Sequence, residues 1–452
     1  MSGPRILPLV DEGLGNSSYL VDLGDGRALV VDPSRDLRAI REAAHSHRLR
    51  IGYVAETHLH ADFLSGACQL AAIDGAQIVA GDGGREFAHT TLADADELDL
   101  GGLTLRALAT PGHTFEHLSY LLLDGPSPIG LFTGGSLLVG AAARTDLAGP
   151  EHVDELTRAQ FRSLRRLVAL PGDTAVYPTH GAGSFCSAPP GAERTTTIGR
   201  ELATNPLLTT ADEDDFTRAL LGGLGSYPPY FLRLGEVNRR GPAVLGLAPH
   251  LEPLGVAAVE SLRTGGAEVV DVRLPEVFAG GHLPGSLSIP LRPAFATWLG
   301  WLADAERPLV FVRDDDQDPD EIIWQCLKIG YEHIAGELRG GIAAWRAAGL
   351  SVTDNDTVRA KAVDTGALLD IRQGGEFAAG HIPGAMHQEL GSVGDAAANL
   401  PPGPLAVMCG HGERAATAAS VLEKAGRPGA AIVLGGPPDW ADATGRPLDA
   451  SA

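Results

Sequence analysis

Four histidines stand in short segments whose spacing suits a transition-metal site. His58 and His60 alternate in the stretch ETHLHADFLSGA, and His113 follows ATPG. His180 follows YPT further along the chain. Imidazole nitrogens are donors that borderline cations such as Zn²⁺ and Fe²⁺ accept in proteins, and a site needs at least three convergent groups. The pattern therefore favours a metal centre over four separate structural histidines.

A second candidate reactive site is centred on a cysteine in the segment LAVMCGHGERAATAA. Strand-like apolar residues precede Cys409, and a helix-forming stretch follows Arg414. Backbone N–H groups at a helix N-terminus favour a thiolate, and then a persulfide anion, over the neutral thiol. The predicted active loop consists of the nucleophile Cys409, the turn residues Gly410 and Gly412, His411, Glu413 and the positively charged Arg414. A buried, inert cysteine at a strand end is the alternative interpretation.

Strand-like segments must position the histidines. IGYVAETH leads into the first pair, GLTLRALATPGHT leads into His113, and TAVYPTHGAGS leads into His180. Loops at strand ends present side chains over a rigid sheet, and such loops commonly carry binding and catalytic groups. Several strand ends that each deliver a polar residue predict a layered α/β fold with one convergent site.

The rest of the chain contains an internal repeat. The segment VVDVRLPEVFAGGHLPGSLSIPL aligns without gaps on LLDIRQGGEFAAGHIPGAMHQEL, which predicts two copies of one α/β module. The first copy has Arg313 where the second has Cys409, and three aspartates follow that would repel an anionic persulfide. We therefore expect the first copy to be structural, with Cys326 in its core. The predicted domains are residues 1–245, 251–353 and 354–452.

Composition limits the classes of partner. The 452 residues suggest about three domains. A formal net charge of −22 argues against nucleic acid and anionic membrane surfaces. No secretory signal and no apolar run long enough for a bilayer is evident, and four scattered cysteines suit a reducing compartment. We expect a cytoplasmic protein that acts on small molecules.

The motifs THLHADFLSG, TPGHT, FTGGSLL and PTHGAGSFC resemble those of the metallo-β-lactamase superfamily, and among its members the persulfide dioxygenases. The repeat resembles a tandem rhodanese pair, so the whole chain is similar to bacterial persulfide dioxygenase–rhodanese fusions whose first rhodanese module is inactive. The resemblance implies an α/β protein with an N-terminal αββα sandwich followed by two rhodanese-like α/β domains. It also implies a homo-oligomer.

The resemblance implies a particular chemistry. Mononuclear iron(II) and O2 would oxidise a low-molecular-weight thiol persulfide to a sulfite-level product, and the rhodanese part would move sulfane sulfur toward thiosulfate. His58 and His113 match the iron-binding histidines of the family, and the adjacent His60 would complete a three-histidine set. Zinc is an alternative metal.

Two positions depart from the family pattern. Phe63 replaces the last histidine of His-x-His-x-Asp-His, a position that serves a second metal. Gly135 replaces the metal-binding aspartate of the family motif Thr-Gly-Asp. We expect weaker metal binding and a changed redox potential from the lost negative charge. A rhodanese sulfurtransferase attached to a metal-free scaffold is therefore an open alternative.

Four further residues are expected near the centre. Asp62 and His180 would orient ligands or substrate through hydrogen bonds. Arg144 would hold a carboxylate of the thiol carrier, or form an ordinary ion pair. Cys186 would relay sulfur near the metal, or remain a buried thiol.

Two other function classes remain open. A metallohydrolase of a thioester is less favoured, because Phe63 and Gly135 remove groups with which a binuclear enzyme activates water. In a non-catalytic binding or assembly protein, Cys409 would be incidental.

Overall fold

The structure is a computed structural model that describes residues 4–186, 193–246, 249–363 and 365–450. Contacts within the chain divide it into two compact units. The first unit comprises Met1–Ala248 with Leu327–Gly330, and the second comprises Pro249–Cys326 with Tyr331–Ala452. Within the described ranges, every helix falls short of the length and apolar character that a bilayer-spanning segment needs.

Two six-stranded sheets form the centre of the first unit. The first sheet contains, in spatial order, β1 (Ile6–Asp11), β2 (Asn16–Asp22), β3 (Arg27–Val31), β4 (Arg50–Glu56), β5 (Gln77–Ala80) and β6 (Thr90–Thr91). The remaining strands are β7 (Glu97–Asp99), β8 (Thr104–Ala109), β9 (Leu118–Asp124), β10 (Ser127–Gly134), β11 (Leu137–Leu138), β12 (Ala141–Ala142), β13 (Ala175–Pro178) and β14 (Thr196–Thr197). The second sheet has the order β14-β13-β10-β9-β8-β7, and β11 pairs with β12.

Helices cover the outer faces of both sheets. They are α1 (Arg38–Ser46), α2 (Ala67–Asp74), α3 (Val153–Leu167), α4 (Ile198–Thr204), α5 (Glu213–Gly222) and α6 (Phe231–Arg240). One apolar core, which includes Tyr19 and Phe132, fills the space between the sheets. A second core lies under α1 and α2, and a third core lies under α3 and α5. Strands such as β3 are apolar at consecutive positions because both faces are covered. The predicted αββα sandwich is confirmed.

The second unit contains two copies of one parallel sheet. The first has the order β15-β19-β18-β16-β17, and the second has the order β20-β24-β23-β21-β22. Their bounds are β15 (Pro253–Leu254), β16 (Glu268–Asp271), β17 (Leu287–Ser288), β18 (Leu309–Val312), β19 (Ile334–Leu338), β20 (Thr357–Arg359), β21 (Leu368–Asp370), β22 (Met386–His387), β23 (Ala406–Met408) and β24 (Ala431–Leu434). The identical order confirms the repeat that the sequence predicted.

Helices surround both parallel sheets. They are α7 (Val256–Thr264), α8 (Pro275–Ala279), α9 (Phe295–Leu302), α10 (Pro319–Leu327), α11 (Gly341–Ala347), α12 (Gly374–Ala379), α13 (Val393–Ala396), α14 (Glu413–Lys424) and α15 (Pro437–Thr444). Single 3-10 turns occur at Pro150–His152, Pro206–Thr209, Ala360–Ala362, Thr365–Ala367, Leu390–Ser392 and Ala397–Asn399.

Helix α14 joins the two copies. Its Glu423 accepts a 2.8 Å hydrogen bond from the Gly285 N–H and lies 3.0 Å from Nε2 of His282. The Ser288 N–H donates to Ser420 at 3.0 Å. The first copy therefore supports the helix that begins at the predicted active loop of the second copy.

Candidate functional site

The loops after β4, β8 and β13 bring the four histidines together in a buried pocket. The ring centre of His58 lies 4.1 Å from that of His60, 4.8 Å from that of His113 and 5.3 Å from that of His180. All four side chains are at most 1% exposed. Histidines that are distant in sequence thus form one cluster at the end of the sandwich.

Within the described ranges, potential ligand atoms form two groups. One contains His58, His60 and His180, and the other contains His113, His180 and Cys186; the atoms of each group lie within 4.8 Å of one another. The set expected from the sequence, His58 with His60 and His113, is therefore split between the groups and stays a prediction. His180, which was expected only to orient other groups, belongs to both.

Hydrogen bonds fix the orientation of the His58 ring. Nδ1 of His58 lies 2.8 Å from Oγ1 of Thr57, whose hydroxyl donates to Asp32 at 2.7 Å. Because the hydroxyl proton is directed at Asp32, Thr57 accepts the Nδ1–H, and Nε2 of His58 keeps its lone pair for the pocket.

The His113 and His180 rings are held in the same way. Nδ1 of His113 donates to the Arg144 carbonyl at 2.6 Å, and Nδ1 of His180 donates to Oδ1 of Asn16 at 3.0 Å. Nε2 of His180 then faces Nε2 of His58 at 3.3 Å. A cation bound between these two imidazole nitrogens would hold both rings in their present orientation.

The charge state of the pocket suits metal ligation. Burial, reinforced by the neighbouring histidines, holds the pKa of His58 well below its ordinary value. Burial likewise lowers the pKa of His113 to about 3. Both rings are therefore neutral at physiological pH, which is the form that binds metals.

His60 has a different environment. Its ring stacks on Phe63 with centres 4.2 Å apart, and Nε2 lies 3.3 Å from Oδ1 of Asp32. Neither ring nitrogen has a well-aligned hydrogen-bond partner among the described residues. Burial opposes a charge on His60, but the Asp32 carboxylate outweighs burial and raises the pKa. His60 is thus an ion-pair partner of Asp32 that becomes a potential ligand when neutral.

Asp62 lies behind His180. One carboxylate oxygen accepts a 2.8 Å hydrogen bond from Asn16 and lies 3.3 Å from Nδ1 of His180. Burial works against the charge, but His180 and Asn16 outweigh it, and the pKa of Asp62 is lowered to about 2. This carboxylate–histidine contact suits the orienting role predicted for Asp62.

Arg144 is committed to other protein groups. Its Nε and Nη2 atoms donate to Asp146 at 2.7 and 2.8 Å, and its guanidinium stacks on Tyr227 at 4.2 Å. Nη1 donates to the Phe185 carbonyl at 3.0 Å. The guanidinium of Arg144 is already paired with Asp146, and the residue is 2% exposed. The structure therefore favours the ion-pair interpretation over binding of a thiol carrier.

Cys186 is fully buried beside this cluster. Burial raises the pKa of its thiol well above the ordinary value, and the Asp62 carboxylate adds to the rise. The Arg144 guanidinium opposes this rise but does not cancel it, so the thiol is protonated at neutral pH.

Asp32 escaped the sequence analysis, and a second buried residue, His117, holds a nearby loop. Asp32 accepts hydrogen bonds from the Thr57 N–H at 2.8 Å and from the hydroxyls of Thr57 and Thr179. Its position directly after strand β3, in VVDPS, was the available signal. His117 accepts a 3.0 Å hydrogen bond from the Gly135 N–H, so it holds the loop that follows β10.

Gly135 leaves no room for the carboxylate that it replaces. A Cβ atom added there would overlap the His113 ring. The loss of the aspartate and the position of His113 are therefore linked, because the imidazole fills the space into which a side chain would project.

We expect Gly135→Asp to weaken metal binding instead of restoring it. The Cβ of the new residue must displace His113, at a cost of about 1–3 kcal/mol of folding free energy. Gly135→Ala should lose a similar amount, because the overlap begins at Cβ. Urea unfolding and zinc titration of both variants test this, with Gly52→Ala as the control, since a Cβ there meets only ordinary contacts of 3.7 Å or more. Tighter zinc binding by the aspartate variant would contradict the prediction.

The Cys409 loop connects β23 to α14. Sγ of Cys409 accepts a 3.1 Å hydrogen bond from the Gly412 N–H, and Gly412 adopts φ +114°, which a glycine tolerates best. Arg414 donates to both oxygens of Glu376 at 2.6 and 2.7 Å. Glu376, which the sequence did not single out, thus holds the arginine at the loop, where an anion on Cys409 would be stabilised.

The corresponding loop of the first copy has the opposite polarity. Arg313 forms an ion pair with Glu337 through both ends of its fork. Its Nη1 also donates to the carbonyls of Asp314 at 3.1 Å and Gln317 at 3.0 Å. Backbone oxygens here surround a cation, so this loop cannot hold a persulfide anion.

Both parts of the chain match known protein families. The metallo-beta-lactamase superfamily model matches residues 11–180, and the rhodanese-like domain model matches residues 257–348 and 355–443. A crystal structure of a metallo-beta-lactamase from Staphylococcus aureus subsp. aureus COL has 28% identity and a TM-score of 0.67, and covers 75% of this chain and 99% of that one.

Two curated relatives match the N-terminal part. A hydroxyacylglutathione hydrolase from Acidiphilium cryptum is 32% identical over 45% of this chain and 89% of its own length. The human mitochondrial persulfide dioxygenase ETHE1 is 29% identical over 44% of this chain and 73% of its own length. The chain spans only 64% of the length of another relative, a hydroxyacylglutathione hydrolase from Methylococcus capsulatus.

Proposed function

Because the chain belongs to the metallo-beta-lactamase superfamily in its N-terminal part and carries two rhodanese-like domains after it, we propose that it is an enzyme of sulfane-sulfur metabolism. It oxidises a small thiol persulfide at the N-terminal centre and transfers sulfur at Cys409. The similar human protein is named a persulfide dioxygenase. The observation that carries the proposal is the Cys409 loop, in which the Gly412 N–H donates to the sulfur and Arg414 lies in the first turn of the helix that follows.

The pocket residues fit a transition metal. Nε2 atoms of His58 and His180 face each other at 3.3 Å, and both nitrogens of the buried His60 lack an aligned partner among the described residues. A ferrous ion bound there would supply the activation of O2 that oxidation of a persulfide to sulfite requires. Zinc fits the same donors but has no redox chemistry.

The protein groups around the pocket orient the donors and exclude water. Thr57, Arg144 and Asn16 each hold the outer nitrogen of one imidazole. The Nε2 atoms of His58, His113 and His180 are thereby aimed inward before a metal arrives. Complete burial of the rings keeps bulk water from the donor atoms.

Sulfur transfer at Cys409 needs no external oxidant. The thiolate attacks the terminal sulfur of the carrier persulfide, a new S–S bond forms on Cys409, and the carrier leaves as its thiolate. The lone pair of sulfite then attacks the terminal sulfur, which releases thiosulfate and returns the Cys409 thiolate. The Gly412 N–H and Arg414 stabilise the anion during both steps.

An oxygen-uptake experiment tests the proposal. The full chain, loaded anaerobically with iron(II), should consume O2 on addition of glutathione persulfide and form sulfite and thiosulfate. The same protein loaded with zinc should consume none. Absence of O2 uptake by the iron-loaded protein would refute the oxidation and leave only sulfur transfer.

A thioester hydrolase is the second candidate, because several relatives are named hydroxyacylglutathione hydrolases. Phe63 and Gly135 oppose it, since both remove side chains of a binuclear centre. The zinc-loaded protein should therefore leave S-lactoylglutathione intact.

Three expectations from the sequence stay predictions. They are the identity of the carrier thiol, a cytoplasmic location and homo-oligomeric assembly.

A further inference from the structure

The most informative group outside the expected ligand set is the one formed by His113, His180 and Cys186. We propose that Cys186 is the anionic metal ligand of this chain and supplies the negative charge that Gly135 cannot. The inference rests on the proposed function, because it names a ligand of the same centre.

Distances support this assignment. The Nε2 or Nδ1 atoms and Sγ of the group all lie within 4.8 Å of one another, and the three residues are buried. Donor atoms around one metal at bond lengths of about 2.0–2.3 Å are separated by about 3–4 Å. Small side-chain rotations are therefore enough to close the three donors on an ion.

One residue positions two of the donors. The Arg144 N–H donates to the Cys186 carbonyl at 3.1 Å, and the Arg144 carbonyl accepts from Nδ1 of His113 at 2.6 Å. The side chain of Arg144 also donates to the Phe185 carbonyl at 3.0 Å. The ion pair with Asp146 makes this arrangement rigid, which gives Arg144 a positioning role in place of the predicted contact with a carrier.

The available carboxylate does not fill this role. Asp62 contacts the outer nitrogen of His180 at 3.3 Å, accepts from Asn16 and is hydrogen-bonded to the Cys186 thiol, so it supports two of the proposed ligands without belonging to either group. Among the described residues, neither ligand group includes a carboxylate. Cys186 is thus the candidate anion on the inner side, and thiolate sulfur suits zinc and iron.

Spectroscopy of the full chain tests the proposal independently of catalysis. The Cys409→Ser protein, which lacks the other reactive thiol, is loaded with Co(II) or Zn(II). A near-ultraviolet thiolate-to-cobalt band is expected, and it should disappear in Cys186→Ser/Cys409→Ser. The Cys68→Ser/Cys409→Ser protein serves as the matched control and should retain the band.

X-ray absorption of the zinc-loaded Cys409→Ser protein keeps the test valid if the Cys186 variant fails to fold. One sulfur at about 2.3 Å from zinc supports the proposal. A shell of only nitrogen and oxygen overturns the Cys186 assignment but leaves the metal centre standing. Failure of the wild-type chain to bind any metal overturns both the assignment and the proposed oxidation.

Discussion

Cys409→Ser should abolish sulfur transfer from thiosulfate to cyanide, with a loss on the order of 10³-fold or more. The serine hydroxyl is not ionised at neutral pH and does not attack sulfane sulfur, so the N–H of Gly412 and the Arg414 charge would stabilise no reactive anion. Thiocyanate formation measures the rate. Mass spectrometry of the intact wild-type chain should also show one added sulfur atom after incubation with thiosulfate, and the variant should show none.

Cys326→Ser is the matched control. Cys326 is also a fully buried thiol, but it lies near the end of helix α10 of the first copy and not in a loop before a helix. We expect this variant to transfer sulfur at the wild-type rate. A Cys409→Ser protein that still forms thiocyanate would show that another group carries the sulfur.

His180→Ala should lower the affinity for zinc or iron(II) by at least about 10²-fold, more than His60→Ala does. His180 belongs to both ligand groups, whereas His60 belongs to one and is attracted to Asp32. Competition with a chelator of known affinity measures the constants. His152→Ala is the control, because its side chain is 40% exposed.

The comparison of the two variants also decides between ligand sets. If His60→Ala costs more affinity than His180→Ala, the set predicted from the sequence, His58 with His60 and His113, is supported. Equal and small losses in both variants would show that the histidine cluster is not the main metal site.

The sequence was sufficient for the architecture and for the clustering of the four histidines. Strand-ending histidines predicted a convergent cluster, and the gapless repeat predicted two sheets of identical order. The same reasoning placed Cys409 between a strand and a helix N-terminus. These features depend on local patterns and on spacing, which a single sequence displays directly.

The roles of individual residues were harder to predict, because they depend on contacts between distant segments. The direction of the His180 ring is set by Asn16, which lies 164 positions away. The guanidinium of Arg144 is paired with Asp146, a contact that the coordinates show and the sequence does not. At Gly135 the sequence shows a missing carboxylate, whereas the packing of His113 against the glycine requires coordinates.

The Arg313–Glu337 pair opposes the appearance of a nucleophile at position 313 of the first copy. The two side chains are 19% and 14% exposed, so a single change of Arg313 to cysteine would leave the acidic partner without its counter-charge in a place with little water. The thiolate of a cysteine at this position would also be repelled by the negative charge of Glu337. A nucleophile in this loop therefore needs coupled changes at two positions, Arg313 directly after β18 and Glu337 on β19.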